Sequence, residues 1–279
     1  MKKLLFIFVI LEKLSFAQVI TGLVIDSNTQ KPIPYVGIGI LHKSIGTVSD
    51  FNGNFSLDVA SAIKTDTMRF STIGYANLDI PVSNLNKHSG SYKLAEQAQN
   101  INEVVIKPGE TQTKILGNTV HGGMFCSGFN SSSLGTEMGT VLKYRKKNPG
   151  WIKNVSFNLR SNPYDSVLFK VNIYEMSDSG VGESILSHPI YLEPKIKHGT
   201  LTIDLSDSSV YIKHDVLLSL ELIRISKSQD KGSPLMYKLL FHSSLLKTHS
   251  YWRKAAQDNW EIIPVDGSIG FWATVTYKK

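Results

Sequence analysis

Cysteine is nearly absent from this sequence of 279 residues, in which Cys126 is the only one. A single thiol cannot form an intrachain disulfide, so the fold has to be stabilised by buried apolar side chains. A lone cysteine is usually a small buried residue. A role for Cys126 as a nucleophile would require a histidine brought close by the fold, which sequence alone does not show.

Metal-binding motifs are also missing. None of the eight histidines begins a His-x-x-Glu or His-Glu-x-x-His motif, which the common zinc sites would require. Asp50, Asn52 and Asn54 have the spacing of the first ligands of a calcium loop, but the glycine of such a loop is out of place and no glutamate closes it. We therefore interpret this stretch as a turn, and the sequence predicts no metal and no cofactor.

After the first residues, no apolar run reaches the ~18 residues that a membrane-spanning helix needs. The start itself is basic at Met1–Lys3 and apolar from Leu4 to Leu11, and small residues follow at Ser15 and Ala17. This pattern predicts a signal peptide over residues 1–17, with a buried N-terminal strand as the alternative. The protein is then expected to be exported.

The net charge of +7 does not indicate nucleic-acid binding. The one dense basic cluster, Lys143 to Lys147, lies next to Asn148-Pro149-Gly150 and is interpreted as a solvated loop. A nucleic-acid surface would need a longer basic stripe with interleaved aromatic residues. The sequence therefore predicts no nucleic-acid partner.

Short strands and turns fill residues 18–95. Val36, Ile38 and Ile40 alternate with Gly37 and Gly39, and two glycines in one strand indicate a bulge or a close approach of another backbone. Asn52-Gly53 is a strong hairpin pattern, because both residues accept a positive φ. The whole stretch predicts about seven short antiparallel strands that form a small β-sandwich.

Four motifs of this stretch occur in a recognisable order: Gly22-x-Val24-x-Asp26, Pro32-x-Pro34-x-Val36, the turn from Gly46 to Phe55, and Ile73-Gly74-Tyr75. Residues 20–94 thereby resemble the carboxypeptidase-regulatory-like domain, a prealbumin-like sandwich. The resemblance implies an accessory domain of zinc carboxypeptidases, not the catalytic one. It also implies export to the periplasm, the outer-membrane surface or the exterior of the cell, because the family often occurs at the N-terminus of exported proteins of Gram-negative bacteria. The partners expected there are a glycan or a protein of the cell envelope.

The second half, residues 114–279, follows a predicted linker over residues 96–113. Period-two alternation recurs here, for example at Val155-Phe157-Leu159 and along Val216–Leu222, with turn clusters between the strands. We expect a second sandwich of jelly-roll type, so that the fold class is all-β with two sandwich domains. This half is similar to modules that follow the regulatory-like domain in exported proteins, and that similarity implies no activity.

The candidate ligand-binding residues are Tyr251, Trp252, Arg253 and Trp260. The connection from Ala255 to Asn259 has the length of a hairpin loop, which would bring Tyr251 or Trp252 close to Trp260 across two strands. Two exposed rings would form a platform for a sugar, with Arg253 as a hydrogen-bond donor at its edge. Two inward rings would be ordinary core. The sequence leaves both alternatives open.

Three functions follow from these patterns. The leading hypothesis is a non-enzymatic exported binding or surface-interaction protein of a Gram-negative cell envelope. A carbohydrate-binding accessory protein is the alternative. A hydrolase that uses Cys126 or a scattered His/Asp/Ser set is the third, and no nucleophile motif or metal-ligand spacing supports it.

Overall fold

The computed structural model describes residues 19–87, 90–97, 110–130, 134–226, 239–245, 248–263 and 267–279. The predicted signal peptide and most of the predicted linker lie outside these ranges. Within the described residues, the one helix is a short 3-10 helix at Val82–Lys87, and no helix is long and apolar enough to cross a membrane.

The strands of the first half are β1 (Val19–Asp26), β2 (Gly37–Ile40), β3 (Gly46–Val48), β4 (Asn54–Asp58), β5 (Thr67–Ser71), β6 (Leu78–Pro81) and β7 (Ser91–Leu94). The strands of the second half are β8 (Thr111–Gly117), β9 (Cys126–Phe129), β10 (Glu137–Leu142), β11 (Gly150–Ser161), β12 (Val167–Ser177), β13 (Gly180–Ser184), β14 (Ile190–Leu192), β15 (Gly199–Asp204), β16 (Tyr211–Ile212), β17 (Val216–Ile225), β18 (Leu239–Leu245), β19 (Ser250–Arg253), β20 (Glu261–Ile262), β21 (Gly267–Ile269) and β22 (Phe271–Lys278). The prediction of an all-β fold with two sandwiches is confirmed.

The first sandwich packs a three-stranded sheet, in the order β4-β1-β7, against a four-stranded sheet, in the order β3-β2-β5-β6. Phe55, Phe70 and Tyr92 come from both sheets, and their ring centroids lie between 4.5 and 5.5 Å apart in the shared core. One pairing differs from the predicted antiparallel arrangement, because β1 and β7 run parallel. Their register could not be inferred from sequence, since about 65 residues separate the two strands.

The Asn52-Gly53 stretch is a turn, as predicted, but it does not close a hairpin. β3 pairs with β2 while β4 pairs with β1, so the turn carries the chain from one sheet to the other. The amide of Gly53 donates to the carbonyl of Asp50 at 3.0 Å, and only Gly53 has a positive φ, of 77°. The Asp50 carboxylate accepts hydrogen bonds from the amides of Asn52 and Asn54 at 2.8 and 2.9 Å, which supports the interpretation of this stretch as a turn.

The second sandwich packs a seven-stranded sheet against an eight-stranded sheet. The main path of the former is β13-β12-β17-β10-β19-β20 and that of the latter is β21-β18-β11-β22-β8. Phe129 and Phe241 of one sheet meet Phe169 of the other at centroid distances of 5.2 and 5.9 Å. The predicted alternation is confirmed, since Val216, Leu218, Leu220 and Leu222 are all buried in this core, and β17 is a central strand.

The division into domains stays a prediction, but the two sandwiches are in contact. The loop between β19 and β20 lies against the first sandwich, where the amide of His42 donates to the carbonyl of Gln257 at 3.0 Å. The Gln257 side chain donates to the Ser71 hydroxyl at 2.7 Å, and Ser44 donates to Asp258 at 2.6 Å. The first strand of the second sandwich, β8, begins three residues before the expected position 114.

The paired glycines of β2 are explained by this contact. A Cβ atom on Gly37 would lie 3.2 Å from the Cβ of Ala256, and one on Gly39 would lie 3.2 Å from the Cβ of Gln257. These separations are tighter than ordinary van der Waals contacts, so side chains here would push the loop away. The close neighbours that these glycines meet in the loop are side-chain atoms, and the nearest backbone oxygens, of Ser71 for Gly37 and of Ile45 for Gly39, belong to the first sandwich.

Candidate functional site

A cleft of about 1180 Å³ separates the two sandwiches beside the docked loop. Gly37, Arg69 and Ser71 line it from the first sandwich, on the face of β2 and β5 that points away from the core. Asn172 and Tyr174 line it from the outer face of the seven-stranded sheet, opposite the buried residues of β12. The cleft therefore lies where the outer faces of two sheets approach one another without filling the space between them.

The floor of the cleft is a row of charges across four neighbouring strands. Strand register places Lys170 opposite Glu221, Glu221 opposite Glu137, and Glu137 opposite Arg253. Residues directly opposite one another point to the same face of a sheet, so these four side chains share the outer face. The Lys170 ammonium lies 2.7 Å from Glu221, and the Arg253 guanidinium lies 2.6 Å from Glu137.

Glu137 is the centre of this row, but it is completely buried beneath the floor and does not itself line the cleft. Its carboxylate accepts hydrogen bonds from Ser219 at 2.5 Å, from Asn172 at 2.8 Å and from Arg253 at 2.6 and 2.9 Å. Burial alone would raise the pKa of Glu137, but the charge of Arg253 and these hydrogen bonds outweigh it and hold the pKa below its ordinary value. The buried carboxylate is therefore ionised and fully engaged.

Two aromatic rings stand next to this row. The Trp260 ring lies 4.8 Å from the Arg253 guanidinium and 5.6 Å from the Tyr174 ring. The Tyr174 hydroxyl donates to Glu137 at 3.3 Å, and burial raises the pKa of Tyr174 well above its ordinary value. Cation–π contact with Arg253 fixes the indole at the wall of the cleft, where Trp260 stays half-exposed.

The predicted ligand-binding residues are divided between the two faces of the sheet. The predicted hairpin is present, because β19 pairs with β20 across the loop. Trp252 pairs with Glu261 and packs against the core of the second sandwich, whereas Arg253 and Trp260 belong to the cleft. Tyr251 is half-buried, and period two places it on the same face as Arg253. Trp252 and Trp260 therefore do not form a two-ring platform.

Sequence reasoning missed most of the floor, namely Lys170, Asn172, Tyr174 and Glu221, and the buried Glu137 beneath it. A signal was present, because Lys170 and Glu221 interrupt two apolar strands and each has one apolar neighbour on its own face. Leu168 shares the face of Lys170, and Ile223 shares the face of Glu221. Both are buried against Tyr35 and Val48 of the first sandwich. Charges amid such residues indicate a covered face rather than a solvated one.

Cys126 does not follow the expectation of a small buried residue, because it is exposed at the start of β9. Register places it opposite His242 of β18, so the fold does supply a histidine beside the thiol. Neither residue lines the cleft. Among the described residues, no group of three or more His, Cys, Asp or Glu side chains could hold a metal ion.

Comparison with protein families matches residues 20–106 to the CarboxypepD_reg-like domain. The first sandwich is a carboxypeptidase-regulatory-like domain. This confirms the resemblance inferred from the motifs, and the match continues beyond the predicted end at residue 94. The family is the accessory, non-catalytic domain of carboxypeptidases. No curated protein matches the chain.

Solved structures give only distant similarity. The cysteine protease and lectin-like domains of Cwp84, a surface layer associated protein of Clostridium difficile, align at 10% identity and a TM-score of 0.39. That alignment covers 88% of this chain and 59% of the other. The VP2 subviral particle of infectious bursal disease virus aligns at 10% identity, a TM-score of 0.24 and coverage of 93% and 63%. The chain thus spans less than two thirds of either protein, and scores this low carry no argument about function.

Proposed function

We propose that this protein is a non-enzymatic binding protein, exported to the cell envelope, whose ligand occupies the cleft between the two sandwiches. The observation that carries the proposal is the cleft itself. Its walls come from both sandwiches, and its floor presents ordered polar and aromatic side chains. Binding sites are concave and occur preferentially where two domains meet.

The ion pairs of the floor suit binding better than catalysis. A general acid or base works best with a pKa near the working pH. Glu137 has its pKa held low and is surrounded by donors, while the pKa of Tyr174 is raised far from neutrality. These groups therefore hold fixed charges and a fixed shape, as expected of a preorganised binding surface. The match to an accessory domain supports the same conclusion.

Export is the second part of the proposal and rests on residues 1–17, which lie outside the described residues. Their basic start, apolar run and small residues predict a mature N-terminus at Gln18. Mass spectrometry of the protein isolated from its native cell tests this directly. A major species that keeps Met1 would contradict export.

A variant that fills the cleft tests the binding site. Ser184 lies opposite Tyr174 across β12 and β13 and lines the cleft, so Ser184→Trp would occupy it. Ser56→Trp is the control, because Ser56 is an exposed strand serine of the first sandwich that does not line the cleft. Unmodified protein and both variants are immobilised and incubated with envelope extract of the native cell.

The proposal expects the unmodified protein and Ser56→Trp to retain the same envelope component and Ser184→Trp to lose it. Circular dichroism and melting curves establish that all three proteins are folded. Retention that is equal in all three would place the ligand elsewhere, and an absence of retention in all three would remove the binding function.

A further inference from the structure

The structure also indicates what kind of ligand the cleft takes, an inference that rests on the proposed binding function. We infer that the cleft binds a neutral chain rich in hydroxyl groups, that is, an uncharged oligosaccharide. Three independent features lead to this ligand class: the charge balance of the lining, the chemistry of its polar groups, and its aromatic wall.

The charges that line the cleft cancel. Four basic residues, Arg69, Lys170, Lys213 and Arg253, face four acidic ones, Glu175, Glu183, Asp215 and Glu221. The chain as a whole carries a net charge of +7, so the cleft is balanced although the protein is basic. A polyanion or a polycation would find no surplus of opposite charge there.

Five of these eight charges already have ion-pair partners, whereas Lys213, Glu175 and Glu183 are exposed at the cleft. Arg69 donates twice to Asp79 at 2.7 Å, and Asp215 lies 3.1 Å from Arg145. On the floor, Lys170 and Arg253 are paired with the two buried glutamates. A charged ligand that binds on the floor would have to break such a pair and leave one buried charge without its partner, which is costly. The exposed charges that stay free, Lys213, Glu175 and Glu183, are of mixed sign and screened by solvent, so they offer a charged ligand little gain.

The remaining polar lining consists of hydroxyl and carboxamide groups from both sandwiches. They include Ser71, Asn77, Asn172, Ser184, Ser208 and Gln257. Each of these side chains both donates and accepts hydrogen bonds. Sugar hydroxyls do the same, so the pairing requires no charge on either side.

The aromatic wall adds an apolar surface of the right shape. Trp260 and Tyr174 lie together at the cleft, and Tyr75 and Tyr211 line it as well. A flat ring packs well against the apolar face of a pyranose. The volume of about 1180 Å³ lies at the upper end of the range for small-molecule pockets, which favours several sugar units over a single one.

The test uses the full mature protein on an array of neutral glucan, mannan and chitin oligosaccharides, with oligogalacturonate as the anionic probe. We expect one neutral class to bind, with an affinity that changes less than about threefold between 50 and 500 mM salt, because no ion pair forms. Ser184→Trp and Trp260→Ala should each weaken binding by at least about tenfold. Ser56→Trp and Phe51→Ala, at an exposed ring outside the cleft, should leave it unchanged.

Other outcomes overturn the inference in distinguishable ways. Binding of oligogalacturonate with a steep salt dependence, or of an envelope protein, that is lost in Ser184→Trp would contradict the ligand class and leave the proposed function standing. Neutral-glycan binding that persists in Ser184→Trp and Trp260→Ala would contradict the site. If no glycan binds and no envelope component depends on Ser184, both the inference and the proposed function fail.

Discussion

The two sandwiches meet through outer faces of opposite composition. The face of the first is reduced to glycine at Gly37 and Gly39, so a loop of the second sandwich can approach its backbone. The outer face of the second sandwich carries Lys170, Glu137 and Arg253. Their side chains are largely shielded from water. The glycine face of the first sandwich leaves space for the loop, whereas the face of the second sandwich lines the cleft with polar side chains.

This difference explains why a cleft remains between them. The contact is made by the β19–β20 loop, where Ala255 and Ala256 are buried, and by the apolar group around Tyr35 and Leu168. No apolar side chains of the first sandwich need to pack on the charged row, because its charges form ion pairs with each other. The following predictions test that contrast, from the largest expected effect to the smallest.

Arg253→Leu should have the largest effect. It leaves the completely buried Glu137 without its cation, and breaking a buried pair from one side costs about 3–5 kcal/mol. Urea unfolding measures the loss. Arg145→Leu is the control, because its pair with Asp215 is 79% exposed on the arginine side and should contribute less than about 1 kcal/mol. Equal losses in the two variants would show that the row is not buried.

The same pair predicts a pH dependence. The pKa of Glu137 is lower in the folded protein than its ordinary value of 4.5, so its ionisation stabilises the fold above that pH and the gain is lost as the pH falls through the lower folded value. In Arg253→Leu, burial without the cation raises the pKa instead. The stability difference between unmodified protein and variant should therefore begin to shrink above pH 4.5, where folded Glu137 of the variant takes up a proton, and shrink further below pH 4.5, where the unmodified protein loses its gain. A constant difference from pH 7 to pH 3 would contradict this.

The two tryptophans of the hairpin should respond differently to truncation. Trp252→Ala removes a ring packed against the core of the second sandwich and should cost about 3 kcal/mol. Trp260→Ala removes a half-exposed ring in contact with Arg253 and should cost about 1 kcal/mol. Melting and urea curves decide the order. A larger loss for Trp260→Ala than for Trp252→Ala would mean that Trp260, and not Trp252, packs against the core.

Gly53→Val should destabilise the first sandwich by about 2–3 kcal/mol, because Gly53 has a φ of 77° and a Cβ there would lie 2.6 Å from the carbonyl oxygen of Val24. Gly74→Val is the matched control. Gly74 has a φ of 88° but no atom within 4 Å of its added Cβ, so it carries the backbone strain without the clash. Unfolding curves for both variants separate the cost of backbone strain from the cost of the clash with Val24. Identical losses would leave no role for the contact with Val24.

Gly37→Val should have the smallest effect, about 1–2 kcal/mol, because its closest new neighbour is the Cβ of Ala256 at 3.2 Å. Ala256→Gly removes that neighbour and should restore at least half of the loss in the double variant. A double-mutant cycle from urea unfolding gives the coupling. An additive double variant would show that the loop does not press on Gly37.

Much of the first sandwich was readable from local pattern. Its strands follow period-two alternation, Gly53 stands where the turn needs a positive φ, and the order of its motifs identified the family. Gly37 and Gly39 indicated that another segment lies close to this strand, but not which segment it is. These features depend on residues a few positions apart, and short-range sterics control them.

The candidate site was decided by tertiary structure. Alternation along β19 says that Trp252 and Arg253 point to opposite faces, but not which face meets the core, because that depends on β10 more than 100 residues earlier. The pairing of Glu137 with Arg253, and of Lys170 with Glu221, arises from strand register between distant segments. A charged residue at the strand positions that point away from the core normally faces water. Only the approach of the first sandwich turned this face into the floor of a cleft.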